Sequence, residues 1–133
     1  MPFPPALTLG PSKRLRHGAD YRAVFDARMR KSRGPLSVSS MPNHLQRYRL
    51  GLAVGKSVGN AVHRQHAKRL VREAFRLCQH DLPRAESGAY DLVVSVRGRC
   101  TASLAEVQAA LVGLAALLHA DWQRRSDRHR GTP

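Results

Sequence analysis

The sequence is poor in acidic residues and cysteines, and it contains no long hydrophobic run. Nine Asp and Glu stand against 23 Lys and Arg, so the formal net charge is +14. The absence of a run of about 18 apolar residues argues against a membrane span. Prolines interrupt the first residues where a secretory signal would be apolar. Two cysteines in such a chain indicate free thiols, so we expect a cytoplasmic protein.

The positive charge is concentrated in the first part of the chain. Residues 1–76 contain 16 cations and 3 anions, whereas residues 77–133 contain 7 cations and 6 anions. A charge that only kept the protein soluble would not need this asymmetry. Because such self-repulsion opposes compaction, the sequence predicts a polyanionic partner.

The pattern of hydrophobic residues in this chain of 133 residues predicts one α+β domain with a tail at each end. Residues 1–17 are expected to form a flexible basic arm, residues 18–122 the folded domain, and residues 123–133 a disordered basic tail. Helices are predicted over residues 20–30, capped by Asp20, over residues 61–80, and from a capping box at Ser103 and Glu106. Strands are predicted within residues 34–43, 47–54 and 90–97. We expect the helices to cover one face of a small sheet.

The helix over residues 61–80 has two different faces. At about 100° per residue, its apolar side chains fall together. They are Ala67, Leu70, Val71, Ala74, Phe75 and Cys78. The opposite side has Gln65, Arg69, Arg72 and Arg76, flanked by Arg64 and Lys68 on one edge and by His66 and Glu73 on the other. A solvated face usually alternates acids with bases, but here five cations meet one glutamate. Such a face is suited to phosphate groups.

Three other motifs are weaker than they first look. GLAVGKS has only three residues between Gly51 and Gly55, where a nucleotide-binding P-loop needs four. His63 and His66 lack further ligands at metal-binding spacing, so we predict no metal site and expect His63 to pack in the core. Asp20 and Asp26 are better explained by capping and charge balance than by acid–base catalysis.

The loop and helix after the second predicted strand resemble a motif of the bacterial ribonuclease P protein component. That family has KxxGxAV followed by Arg-Asn-Arg, two residues, Lys-Arg, two residues and Arg-Glu. The matching residues here are Lys56, Gly59, Ala61, Val62, Arg64, Lys68, Arg69, Arg72 and Glu73. LRHGADYRAVF, RLGLAV and YDLVVSVR agree as well, so the resemblance covers about residues 12–120. The chain departs from the motif at Gln65, His66 and Ser57.

The resemblance implies the protein subunit of a ribonucleoprotein that removes the 5′ leader of precursor tRNA. It implies that the RNA subunit is catalytic and uses magnesium, with no catalytic residue or bound cofactor in the protein. The expected partners are the catalytic RNA and precursor tRNA, without DNA, a membrane or another protein. The residues expected to contact RNA are Lys56, Arg64, Gln65, His66, Lys68, Arg69, Arg72 and Arg76.

The resemblance also implies a groove for the single-stranded leader between the first helix and the sheet. Tyr21 and Phe25 are the candidates for stacking on bases, with core packing as the alternative for each. Ser39 stands near the position of an aromatic residue in the family. The family's sheet has four strands and a left-handed crossover, which predicts a further short strand near residues 41–46 or elsewhere. A structural RNA-binding protein of the ribosome is the alternative function, and a DNA-binding regulator is a weaker one.

Overall fold

The computed structural model describes residues 9–130, and their side chains as far as Arg128. In chain order the elements are α1 (Gly18–Asp26), β1 (Arg30–Arg33), β2 (Leu36–Pro42), β3 (Arg49–Val54), α2 (Ala61–Cys78), β4 (Tyr90–Val96) and α3 (Leu104–Arg130). Short 3-10 turns lie at Pro11–Lys13, Lys56–Val58 and Gln79–Asp81. The α+β class and the order of elements predicted from the sequence are confirmed.

The four strands form one mixed sheet in the order β1-β2-β4-β3. β2 is antiparallel to both β1 and β4, with Val38 opposite Val94. β3 and β4 are parallel, with Leu50 opposite Leu92, and α2 makes the connection between them. Parallel neighbours need such a crossover because a tight turn cannot join them. The handedness of this connection stays a prediction.

The additional strand is β1, and it does not lie near residues 41–46. All four of its residues are exposed, so it has no hydrophobic alternation for the sequence to show. Ser32 and Ser37 hydroxyls lie 2.7 Å apart across β1 and β2, and Arg30 donates to the same Ser37 oxygen at 3.2 Å. Polar contacts with β2 therefore hold this edge strand.

Helices cover both faces of the sheet, so the prediction that they cover one face is wrong. Along β4, Leu92 and Val94 belong to the large core formed with α2 and α3. Val93 points to the opposite face and packs with Val24 of α1 and with Leu15. Because Leu92, Val93 and Val94 form an apolar run without alternation, β4 is suited to burial on both faces.

The apolar stripes predicted on α2 and α3 form most of the larger core. On α2, Ala67, Val71, Ala74, Phe75 and Cys78 are buried, and Leu70 is partly buried against them. On α3, Val107, Leu111, Leu114 and Leu118 are all buried. The capping box is confirmed, since the Glu106 N–H donates to the Ser103 hydroxyl and the Ser103 N–H donates to the Glu106 carboxylate, both at 3.1 Å.

Helix α1 begins and ends differently from the prediction. Its N-cap is His17, without a side-chain cap, and Asp20 lies in the first turn. A carboxylate there is favourable because it faces the positive end of the helix dipole. The helix ends at Asp26 instead of continuing to Arg30, and Arg28 takes a left-handed φ of 55° in the turn before β1.

Parts of the segments predicted as a flexible arm and a disordered tail have helical structure or contacts with the sheet, and their flexibility stays a prediction. Leu15 is buried, and its N–H donates to the Leu50 carbonyl of β3 at 2.9 Å. At the other end, α3 continues through residues 123–130, past the boundary predicted at residue 122. The Trp122 indole N–H donates to the Ser40 hydroxyl at 3.0 Å, which fixes this part of α3 to β2. The remainder of the predicted arm and tail, residues 1–8 and 131–133, lies outside the described residues.

Helix α3 is long and apolar enough, by length and composition, to cross a membrane. Its packing assigns it another role, because Leu111, Leu114 and Leu118 are part of the protein core. Core helices of water-soluble proteins often have this composition when one side is fully buried.

Two leucines of α3 provide a matched test of this packing. Leu111 is 1% exposed, whereas Leu117 is 51% exposed. We expect Leu111→Ala to lower the free energy of unfolding by about 2–5 kcal/mol, because it leaves a cavity in the core. Leu117→Ala is expected to change it by less than about 0.5 kcal/mol. Urea unfolding followed by circular dichroism measures both, and equal losses would contradict the assignment of the buried face.

Candidate nucleic-acid interface

The start of α2 is fixed by the loop that precedes it. Gly59 has a φ of 134°, and a Cβ at this position would lie 2.7 Å from Nδ1 of His63. The Asn60 side chain caps the helix by accepting from the His63 N–H at 3.0 Å. Only glycine tolerates this backbone and this contact, so the loop determines where the basic face begins. The His63 side chain is exposed over the glycine, so the prediction that it packs in the core is wrong.

The structure places the predicted RNA-contacting residues along one accessible side of α2 and its preceding loop. Lys56, Gln65, His66 and Arg69 are exposed, and Arg64, Lys68, Arg72 and Arg76 are partly exposed. We call these eight residues the basic face. The Lys56–Ser57 loop is a 3-10 turn, and the Ser57 hydroxyl accepts from the Gly98 N–H at 3.4 Å.

One cation of the basic face is neutralised within the helix. Arg76 donates from Nε and Nη2 to the two carboxylate oxygens of Glu73, at 3.0 and 2.5 Å. The hydrogen bond from Arg76 lowers the pKa of Glu73, and the same bond raises the pKa of Arg76. Arg76 is therefore less available to a phosphate than the sequence alone indicates.

The other α2 cations have no acidic partner in the part of the chain that the structure describes. No ion pair is formed there by Arg64, Lys68, Arg69 or Arg72. Nε of Arg64 is buried and makes no hydrogen bond with any described group. A buried donor without an acceptor is costly, and a phosphate oxygen is an acceptor that suits arginine. These four cations are the strongest part of the basic face.

The basic face shares a groove with the first helix. Lys68 and Arg72 of α2 line this groove together with Arg14 and Tyr21, and its volume is about 200 Å³. Its apolar walls are Leu9, Leu15, Leu50 and Leu52. The structure thus brings together two sites that the sequence predicted separately, the cations of α2 and an aromatic residue of α1.

The two aromatic candidates on α1 differ in their surroundings. Tyr21 is half-buried against β3, where its ring lies so near Gly51 that a Cβ there would be 2.8 Å away. Its hydroxyl accepts from the Leu52 N–H at 3.2 Å, which fixes the ring. Phe25 is 43% exposed and is the more available of the two for stacking. Ser39 is buried on the same side of the sheet, opposite Val93, and offers no ring.

A second basic surface was missed by the sequence analysis. A hollow of about 320 Å³ beside the start of β3 is lined by Arg14, Arg16, His17, Arg47 and Arg49, with Asp20 as its one acidic residue. Arg47 donates to the Ser12 carbonyl at 2.8 Å, which ties the basic segment 11–17 to the strand. The segments PSKRLRH and RYR are visibly basic in the sequence, but only the fold shows that they lie side by side.

Arg49 in this hollow is oriented by a buried carboxylate. It donates to both oxygens of Asp91, at 2.8 and 2.6 Å, and Asn43 donates to the same side chain at 2.9 Å. Asp91 is only 1% exposed. The hydrogen bond from Asp91 raises the pKa of Arg49. This cation therefore serves the structure first, and Arg14 and Arg16 are more available to a ligand.

Among the described residues, no group of three or more His, Cys, Asp or Glu is arranged to hold a metal ion. Cys78 and Cys100 are free thiols. Burial raises the pKa of Cys78 to about 11, which makes it an unreactive core residue.

Comparison with known proteins agrees with this geometry. The family profile described as Ribonuclease P matches residues 9–118. The chain belongs to the ribonuclease P protein family. It is 43% identical over 91 residues to the ribonuclease P protein component of Methylococcus capsulatus, covering 68% of this chain and 67% of that protein. It is 48% identical over 64 residues to that of Photobacterium profundum, covering 47% of this chain and about half, 54%, of that protein.

Solved structures of this family share the fold. The RNase P protein from Thermotoga maritima has a TM-score of 0.64 and 28% identity, covering 77% of this chain and 94% of that one. The RNase P protein of Staphylococcus aureus has a TM-score of 0.66 and 24% identity, covering 79% and 94%. This chain has Gln65 and His66 where the family motif stated above has Asn and Arg, and both side chains are exposed.

The basic face of this ribonuclease P protein predicts a strong dependence of RNA affinity on salt. We expect the logarithm of affinity to fall linearly with the logarithm of salt concentration. Arg69→Ala or Arg72→Ala should each reduce the slope by about one, because each removes one phosphate contact. Arg124→Ala removes the same charge from α3, away from the basic face, and should leave the slope nearly unchanged. Filter binding across a salt series measures this, and equal slopes for all three variants would contradict the assignment.

Proposed function

We propose that this protein binds the catalytic RNA of ribonuclease P and the 5′ leader of precursor tRNA, and so promotes endonucleolytic removal of the leader. The observation that carries the proposal is the groove in which Lys68 and Arg72 of the basic face stand beside Tyr21 of α1. Cations and aromatic rings along one groove are the usual means of binding single-stranded nucleic acid. Family membership supplies the reaction in which such a strand takes part.

In this proposal the outer side of α2 and the groove beside α1 bind different RNAs. Arg64, Arg69 and their neighbours on the outside of α2 bind phosphates of the catalytic RNA. Lys68 and Arg72, at the border of the groove, contact phosphates of the leader. Phe25 stacks on an unpaired base, and Tyr21 shapes the wall of the groove. By neutralising phosphates on both RNAs, the protein reduces the repulsion that separates enzyme and substrate.

The chemistry itself is assigned to the RNA subunit. Magnesium ions held by that subunit would activate water and stabilise the leaving oxygen. The described residues of this chain do not fit a magnesium site, because they present no cluster of ligands. In this proposal the protein acts as an accessory subunit without catalytic residues, and its location is the cytoplasm. DNA, membranes and protein partners have no part in this proposal.

A cleavage assay tests the function directly. Full-length protein is added to a cognate ribonuclease P RNA and labelled precursor tRNA at low magnesium concentration. We expect cleavage at the mature 5′ end to be stimulated, because the protein raises substrate affinity when metal screening is weak. Absence of stimulation together with tight binding to ribosomal RNA would instead support the structural ribosomal function.

A variant of Phe25 separates leader binding from general RNA binding. Phe25→Ala should weaken binding of precursor tRNA to the holoenzyme by about 5- to 100-fold, since one stacked base is lost. Binding of mature tRNA, which has no leader, should be unchanged and is the internal control. Equal weakening of both substrates would show that Phe25 supports the fold and does not contact the leader.

The altered motif residue His66 gives a further test. His66 is exposed and lies between two shallow hollows, one with Gln65 and Arg69 and one with Arg99. We expect His66→Arg to raise affinity for the catalytic RNA by about 2- to 30-fold in filter binding, because arginine adds a permanent cation with two donors. Weaker binding of His66→Arg would mean that the position contacts a base instead of a phosphate.

A further inference from the structure

A large cleft lies away from the basic face. It is formed by Met41 and Pro42 at the end of β2, the turn at residues 85–87, Tyr90 at the start of β4, and Trp122, Gln123, Arg125 and Ser126 of α3. Its volume is about 790 Å³, which is in the range of small-molecule sites, about 300–1,000 Å³. The family profile ends at residue 118. The α3 wall of the cleft is therefore a feature of this chain that the family match does not include.

Two flat side chains border the cleft. Trp122, the single tryptophan of the sequence, is partly exposed, and its indole N–H donates to the Ser40 hydroxyl. The guanidinium carbon of Arg125 lies 4.9 Å from the centre of the indole ring. Indole rings and guanidinium groups are the two surfaces on which unpaired bases stack in protein–RNA complexes. The hydrogen bond to Ser40 holds the indole in place before any ligand arrives.

The other walls combine rigidity with polar groups. The Tyr90 hydroxyl is 2.8 Å from Nδ1 of His119, so this ring is fixed by α3. Ser87 and Gln123 provide polar groups at the rim for the edge of a base. Arg125 lines the cleft and is exposed, and Glu86 contributes one carboxylate to the same lining.

The cleft is connected to the groove side of the sheet. β1 pairs with β2 only as far as Ser39, so the Met41–Pro42 end of β2 is an open edge. Met41 packs against the cluster of Leu15, Val24 and Val93 on the α1 side, and it also lines the cleft. This side chain therefore connects the cleft with the α1 side of the sheet.

We propose that this cleft is a second subsite for single-stranded RNA, in which an unpaired base of the precursor's leader stacks on Trp122 and Arg125. The inference rests on the proposed function for the identity of the strand. The stacking surface of Trp122 and Arg125 and the polar groups at the rim fit an unpaired base better than an apolar ligand. The subsite would extend leader recognition beyond the groove beside Tyr21.

The fluorescence of Trp122 reports directly on binding at the cleft, because the chain has no other tryptophan. Full-length protein is titrated with a short single-stranded RNA while tryptophan emission and the anisotropy of a label on the RNA are recorded together. We expect a saturable loss of emission that follows binding, and a much smaller loss with the same strand in a duplex, whose bases are not free to stack. Binding without a change in emission, or equal loss with the duplex, would overturn the proposal.

Two adjacent arginines provide matched variants. Arg125 borders the cleft, whereas Arg124 is bonded to Asp121 and does not. Arg125→Gln should raise the RNA concentration at half-loss of emission by about 3- to 30-fold, because a stacking cation is lost. Arg124→Gln removes the same charge and should raise the RNA concentration at half-loss of emission by no more than about 2-fold. Equal shifts would show that only net charge matters and would overturn the subsite.

Measurements on the holoenzyme show which RNA supplies the base that stacks on Trp122. Emission is measured with catalytic RNA alone, then after adding precursors with a full or a shortened leader. We expect the loss of emission with the full leader only. Full loss with catalytic RNA alone would overturn the assignment to the leader. Failure of the cleavage assay together with emission loss on single-stranded RNA would reject the proposed function but leave the stacking site in place.

Discussion

The fold depends on β4, the strand that is buried on both faces and paired along both edges. Val93 and Val94 show no exposure, although they point to opposite sides of the sheet. Because β4 is parallel to β3, the chain must cross over between them, and α2 is that crossover. The packing of α2 against the same core then leaves its cationic side accessible. The position of the basic face is thus a consequence of strand pairing, and the loop at Gly59 only sets where the helix begins.

The sequence predicted correctly the elements that are determined by residues close together in the chain. α2, β4 and the first part of α3 have continuous periodic stripes or a capping box, and each was found with nearly correct limits. The strand β1 was missed because its sequence, RKSR, is exposed throughout and is held by Ser37 on the next strand. The burial of β4 on both faces could also have been predicted, because an apolar run without alternation is typical of strands buried on both sides. The expectation that the helices cover one face overlooked this pattern.

At both ends of the domain, the chain is held by partners that are distant in sequence. The basic segment before α1 has one buried leucine, Leu15, whose partner Leu50 is remote in sequence. The end of α3 has a tail-like composition, but Trp122 and Asp121 attach it to Ser40 and Lys31. A charged segment with a single anchoring side chain cannot be distinguished from a disordered one by composition. For the same reason, the groove joining Tyr21 to Lys68 could be predicted only as two separate sites.

Three of the nine acidic side chains pair with particular cations. Asp91 holds Arg49 against the sheet, Glu73 holds Arg76 along α2, and Asp121 holds Lys31 and Arg124 at the end of α3. Arg64, Lys68, Arg69 and Arg72 form no ion pair with any described residue, and they repel one another on adjacent turns. Folding therefore places a positive potential on one helix at a cost in stability, and binding a polyanion relieves that cost. Since anything that binds the native state preferentially also stabilises it, a polyanion bound to the basic face would stabilise this small domain.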